Sequence, residues 1–160
     1  MIKIISEDDL VKKTLSMAKV IAMVGVSSIK KEDSKNIKRR PSVIVMSYLQ
    51  EFGYKVIPVN PFAVGQKIHG ETVVEKLEDI KLPIDIVDIF RPSEEAEGFA
   101  KQTIKVKAKA FWLQYGIQSE KAKEILSSEN IIYIANKCIK QEYQRLFLKA
   151  SPVFPVLQNK

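Results

Sequence analysis

The sequence predicts an α/β fold, a parallel sheet of five strands wound doubly so that helices cover both faces. Three observations lead there. Five short apolar runs recur along the 160 residues, and stretches of helical periodicity separate them. That alternation supplies the crossovers a parallel sheet requires. The runs are mostly continuous rather than alternating, as in strands buried on both faces. Finally, 46% of the residues are apolar and 28% are charged, enough for one sizeable core and too apolar for a disordered chain. A single domain over residues 1–160 is expected, with a core over about 18–150, an N-terminal helix over 6–18 and a tail over 151–160.

Ser6-Glu7-Asp8-Asp9 is a capping-box pattern that starts the first helix. Leu10, Val11, Thr14, Leu15 and Ala18 then recur at helical spacing. Val20-Ile21-Ala22-Met23-Val24-Gly25-Val26 reads as the first strand, and residues 27–41 as a polar, lysine-rich loop. Pro41 opens a second helix that runs to Phe52, with Val45, Leu49 and Phe52 on one face, and Gly53 stops it. Residues 54–61 form the second strand, closed by Pro61. Residues 62–72 read as irregular, with Gly65 and Gly70 as turn signals, and residues 73–80 as a short helix.

Ile84-Asp85-Ile86-Val87-Asp88-Ile89-Phe90 is the third strand, broken by Pro92. Ser93 is expected to cap the next helix, whose first turn holds Glu94, Glu95 and Glu97 where the helix dipole favours acids. Its apolar face is Ala96, Phe99, Ala100, Thr103 and Ile104. Residues 108–113 form the fourth strand, Ser119 caps a helix to Leu126, and residues 131–135 form the fifth strand. A final helix over 141–150 carries Tyr143, Leu146 and Phe147. The whole is Rossmann-like.

Composition narrows the functional classes. Lys and Arg number 26 against 19 Asp and Glu, a net charge of +7. That surplus admits nucleic acid, a phosphorylated ligand or a soluble surface. No apolar run approaches the ~18 residues of a membrane span, and the N-terminus turns acidic before a signal-peptide core forms. A lone cysteine, Cys138, excludes an internal disulfide framework and suits a reducing cytoplasm. With one histidine, His69, beside it, no zinc site is expected.

In doubly wound sheets a ligand sits beyond the C-terminal strand ends, where strand order reverses. Gly25, Val26, Ser27 and Ser28 at the end of the first strand, Asn60 and Pro61 at the end of the second, Phe90 and Arg91 at the end of the third, and Gln114 after the fourth therefore form the candidate site. The dinucleotide signature G-x-G-x-x-G is matched only at Gly25, because Ser27 and Lys30 take the next two glycine positions. NAD sites present an acid at the tip of the second strand, and here the tip is Asn60. Its absence favours a phosphorylated adenosine. Lys30, Lys31, Lys35, Lys38, Arg39 and Arg40 face only Glu32 and Asp33, a surplus of four positive charges in one loop. Such a loop suits a ligand with several phosphates. Arg40 and Ser42 flank Pro41 at a helix N-terminus, itself an anion site.

Several runs together resemble the small, single-domain CoA-binding proteins, which share their fold with the CoA-binding domain in the α subunit of succinyl-CoA ligases. They are Ile21-Ala22-Met23-Val24-Gly25-Val26-Ser27, Arg40-Pro41-Ser42, the segment from Gly53 to Pro61, Asp85-Ile86-Val87-Asp88-Ile89-Phe90-Arg91, Trp112-Leu113-Gln114-Tyr115-Gly116 and Cys138-Ile139-Lys140. They occur in order over residues 18–147. The resemblance implies that Gly25, Val26, Ser27 and Ser28 hold the phosphates of coenzyme A with Arg40 and Ser42. Val59, Asn60 and Pro61 would border the adenosine, and Phe90 with Arg91 would follow the pantetheine or pyrophosphate. The sequence departs from the pattern in the long lysine-rich insertion between Ser28 and Arg40, and no segment matches the ligase domain that carries a phosphorylated histidine.

No catalytic constellation emerges. His69 lies in a turn region away from the strand tips, Cys138 reads as a buried structural thiol, and Trp112 and Tyr115 read as packing residues. Asp85 and Asp88 stand three apart on a strand and point to opposite faces. The expectation is a non-catalytic protein that binds coenzyme A or an acyl-CoA non-covalently. The alternatives are an NAD(P)-binding Rossmann protein and a CoA-presenting subunit of an acyl-CoA ligase. A nucleic-acid module built on the lysine-rich loop ranks last, for want of a recognition helix or aromatic platform. A second copy of the chain or an acyl-CoA enzyme is the expected protein partner.

Overall fold

The structure, a computed structural model, describes residues 5–27 and 41–148. Ser28, Arg40, the lysine-rich loop between them and the tail over 151–160 lie outside the described residues. Five parallel strands form the main sheet: β1 (Val20–Val24), β2 (Lys55–Val59), β5 (Ile86–Ile89), β6 (Ala110–Leu113) and β7 (Ile132–Ile134), in the order β2-β1-β5-β6-β7. Between β1 and β5 the winding reverses, which places the expected ligand crevice at those two tips.

Alternate strand residues feed two separate cores. Ile21, Met23, Val56, Ile86, Ala110 and Trp112 pack under α1 (Glu7–Met17), α2 (Pro41–Glu51) and α5 (Ile139–Tyr143). Their neighbours Ala22, Val24, Val87, Ile89, Phe111 and Leu113 pack under α3 (Ala96–Lys105) and α4 (Glu120–Ser127). Helices therefore cover both faces, as the continuous apolar runs predict. Tyr54 ties α1 to the sheet by donating its hydroxyl to the Leu15 carbonyl at 2.6 Å. Asp85 caps the start of β1 by accepting from the Lys19 and Val20 amides at 2.8 and 2.9 Å. Ser6 and Ser119 cap α1 and α4 as expected.

Four local expectations are corrected. Residues 62–72 contain a small hairpin, β3 (Lys67–Ile68) with β4 (Glu71–Thr72). Its two-residue turn is His69-Gly70, with φ of 47° and 84°, the pair of positive angles that a type I′ turn requires. Residues 73–80 form a single 3-10 turn, Leu77–Asp79, because Val74 pairs instead with Val59 and the Val73 amide donates to the Gln66 carbonyl at 2.8 Å. Ser93 does not cap α3: it opens a 3-10 turn, and its hydroxyl oxygen accepts from the Gln118 amide at 3.1 Å. The last helix begins earlier, at Ile139, and continues as π-helical turns over Gln144–Leu148.

Candidate functional site

Gly25 sets the geometry of the crevice. Its φ is +90°, and a Cβ there would lie 2.8 Å from both the Arg91 Cδ and the Phe90 carbonyl oxygen. Only glycine permits the β1 tip to touch the β5 tip this closely. Hydrogen bonds also tie the β1 tip to both neighbours: the Phe90 amide after β5 donates to the Val24 carbonyl, and the Gly25 amide donates to the Val59 carbonyl of β2, each at 2.9 Å. Asn60, at the end of β2, donates its side-chain amide to the Val26 carbonyl at 2.8 Å and accepts from the Phe62 amide at 2.9 Å. Ser42, buried in the first turn of α2, accepts from the Ser27 amide at 3.0 Å and donates to the Ser27 hydroxyl at 3.4 Å. The first-strand loop is thus held from both sides before any ligand arrives.

Two cavities open at these tips, and Arg91 lines both. The first, about 410 Å³, is bounded by Gly25, Val59, Asn60, Pro61, Phe62 and Lys76. The second, about 790 Å³, is bounded by Pro41, Phe90, Gln114, Tyr115, Cys138 and Gln141. Among the predicted site residues, Gly25, Val59, Asn60, Pro61, Phe90, Arg91 and Gln114 therefore border one groove in two parts. Ser27, Val26 and Ser42 support its floor from the Gly25 side without lining either cavity.

Arg91 is engaged. Its Nε and Nη2 donate to the two Glu95 oxygens at 3.0 and 2.7 Å. The pair lowers the Glu95 carboxyl below the usual carboxylate range and raises Arg91. The partner lies four residues on, past Pro92 and at the end of the 3-10 turn Ser93–Glu95. Asp88, wholly buried on β5, accepts from the Gln114 side-chain amide, and its other oxygen has no hydrogen-bond partner. Burial pushes its carboxyl up to about 8, against the smaller lowering effect of Gln114.

Several side chains at the groove differ from their expectation. Cys138 is half-buried on the second cavity's wall, at the N-cap of α5, rather than enclosed in the core. Tyr115 is 77% exposed on the same wall, whereas Trp112 is fully buried and donates its indole N–H to the Lys137 carbonyl at 2.8 Å. Phe62, 91% exposed on the first cavity, was not among the sequence candidates. An aromatic directly after Asn60-Pro61 at a strand tip is the signal that could have found it. Among the described residues, no group of three or more His, Cys, Asp or Glu side chains could hold a metal ion, and no helix is long and apolar enough to cross a membrane.

Comparison with known proteins points the same way. A family described as CoA binding domain matches residues 19–144. The uncharacterized protein YneT of Bacillus subtilis (strain 168) is 36% identical over 130 residues, which span 81% of this chain and 89% of YneT. The solved structure of cell-free ID.343 from Thermus thermophilus is 34% identical with a TM-score of 0.79, covering 89% of this chain and 100% of that one. The fold also recurs in the apo dinucleotide forming acetyl-coenzyme A synthetase 1 of Ca. Korarchaeum cryptofilum. There the TM-score is 0.56 at 21% identity, over 74% of this chain and 26% of the synthetase, a likeness of fold alone.

Proposed function

The chain belongs to the CoA binding domain family, and we propose that it binds coenzyme A or an acyl-CoA non-covalently across the tips of β1 and β5. The observation that carries this reading is the two-part groove divided at Arg91, with Gly25 pressed against that side chain. A compact nucleotide fills one cavity; a nucleotide with a long arm needs both. In this reading the adenosine lies in the smaller cavity against Val59, Asn60, Pro61 and the face of Phe62. The pyrophosphate crosses Gly25 and Ser27, where Ser42 holds the loop and Arg91 supplies charge, aided by Ser28 and Arg40 from outside the described residues. The pantetheine arm runs past Phe90 into the larger cavity toward Gln114.

Lys76 lines the adenosine cavity and is the proposed partner of the ribose 3′-phosphate. Arg91 is positioned rather than free: the bidentate pair with Glu95 fixes its plane and leaves the remaining guanidinium N–H groups for an anion. The role is binding, in the cytoplasm, without a catalytic step of the domain's own. NAD is disfavoured because the β2 tip offers Asn60, whose side chain is already committed to Val26 and Phe62, where NAD sites offer an acid.

Calorimetric titration with coenzyme A, dephospho-coenzyme A, NAD and ATP tests the reading. Coenzyme A should bind most tightly. No heat from coenzyme A at millimolar ligand, or tighter binding of NAD, overturns it. A second reading, presentation of coenzyme A to a ligase partner, is supported by the same fold forming about a quarter of a larger acetyl-coenzyme A synthetase. It predicts a stable complex with an acyl-CoA enzyme in extracts, and a chain that always migrates alone would contradict it.

A further inference from the structure

Gln114 is 5% exposed yet lines the larger cavity. Its backbone is fixed at both ends, the amide donating to the Ile89 carbonyl at 3.3 Å and the carbonyl accepting from Ile117 at 2.9 Å. Its side-chain amino group is held by Asp88 beneath it. Asp88 is 0% exposed, and one of its oxygens has no partner. A buried carboxyl with a single hydrogen bond is costly to keep in a core. Structural packing does not call for it, because β-strand neighbours Met23 and Trp112, in register with Asp88, are apolar or aromatic.

We infer that Asp88 is a positioning residue: it captures the amino group of Gln114, so that the side-chain carbonyl of Gln114 becomes a hydrogen-bond acceptor for the larger cavity. An amide side chain has one donor end and one acceptor end. One of the two amino N–H groups goes to Asp88, which turns the donor end toward β5 and leaves the amide oxygen, which accepts nothing among the described residues, for the cavity. Burial raises the Asp88 carboxyl, and Oδ1 accepts from Gln114 both as a carboxylate oxygen and as the carbonyl oxygen of an acid whose proton sits on the unpartnered Oδ2. The cavity therefore selects a ligand arm that brings a donor, and a secondary amide N–H in an extended chain fits that requirement. The inference rests on the coenzyme A reading above and specifies it, since the pantetheine arm carries such amides and the nucleotide portion of coenzyme A lies elsewhere in the groove.

Two probes separate the inference from the reading it rests on: coenzyme A, and adenosine 3′,5′-bisphosphate, which lacks the pantetheine arm. Asp88→Leu should weaken coenzyme A by about tenfold, the scale of one lost hydrogen bond in a buried site, and leave the bisphosphate within about twofold. Asp88→Asn, whose side-chain oxygen accepts from Gln114 as the protonated acid does, should restore coenzyme A affinity. Gln114→Met, which keeps length and removes the acceptor, should reproduce the loss if the leucine variant does not fold. Equal affinity of all variants for coenzyme A overturns the inference while leaving the reading intact. So does an equal loss of both probes by a folded variant. If the wild-type chain binds neither probe, the coenzyme A reading itself fails, and the inference with it.

Discussion

Gly25 illustrates how much one residue can decide. Gly25→Ala would force a Cβ into Arg91 and the Phe90 carbonyl at a left-handed φ, so a loss of roughly 1–3 kcal/mol is expected. Chemical denaturation measures that loss, and coenzyme A affinity should fall with it, because the same contact separates the two cavities. Lys76→Ala belongs to the same scale. It should reduce the preference for coenzyme A over dephospho-coenzyme A without moving the melting temperature, and an unchanged preference would remove Lys76 from the 3′-phosphate. Asp88 governs a pH effect. Its folded carboxyl titrates near 8 and its ordinary value is 3.8. Between those values the folded state holds a proton that the unfolded state has released, so stability falls as pH rises from about 4 to 8 and then levels. Asp88→Asn removes that slope. Its stabilisation over the wild type should therefore grow across this window, reaching on the order of a few kcal/mol by pH 8. Denaturation midpoints that run parallel for the two proteins would contradict it.

At the scale of elements, the hairpin of β3 and β4 shows where local sequence signals fail. Its turn is His69-Gly70, and both residues have positive φ. Asn-Gly is the usual signature of such a turn, and histidine hides it. His69→Asn should therefore raise stability by roughly 0.5 kcal/mol, since asparagine tolerates the left-handed region better, and should leave ligand affinity unchanged. Residues 73–80 mislead in a different way. Their helical spacing is real, but β-branched Val73 and Val74 make backbone hydrogen bonds with Gly65 and Gln66 before the hairpin and with Pro58 and Asn60 at β2, and tertiary pairing overrides the periodicity. Ser93 likewise has the composition of a cap, but its hydroxyl is taken by Gln118 from across the fold. These are all choices among local conformations that distant partners settle.

Across the whole molecule, the legible part of the fold was the part that a one-dimensional pattern encodes. Continuous apolar runs at Ile21, Ile86 and Phe111 specify strands buried on both faces, and their alternation with helices specifies parallel connections. Of the site, the strand-tip positions Gly25, Asn60, Arg91 and Gln114 could be read, because the end of a strand is visible in sequence and the crevice follows from topology. What could not be read were distances through space: Glu95 clamping Arg91, Asp88 seizing Gln114 from a neighbouring strand, and Cys138 reaching the cavity wall rather than the core. The net charge of +7 gains a context in the same way. Its surplus is richest between Lys30 and Arg40, in the connection between the β1 tip and the first turn of α2, the two elements that meet at Ser27 and Ser42. The most direct test of coenzyme A binding at these strand tips is an amide chemical-shift titration of the full chain with coenzyme A. Coenzyme A bound across the tips of β1 and β5 should shift Gly25, Ser27, Asn60, Arg91 and Gln114 most. Shifts confined to the opposite end of the sheet, around Lys13, Lys107 and Lys109, would contradict it.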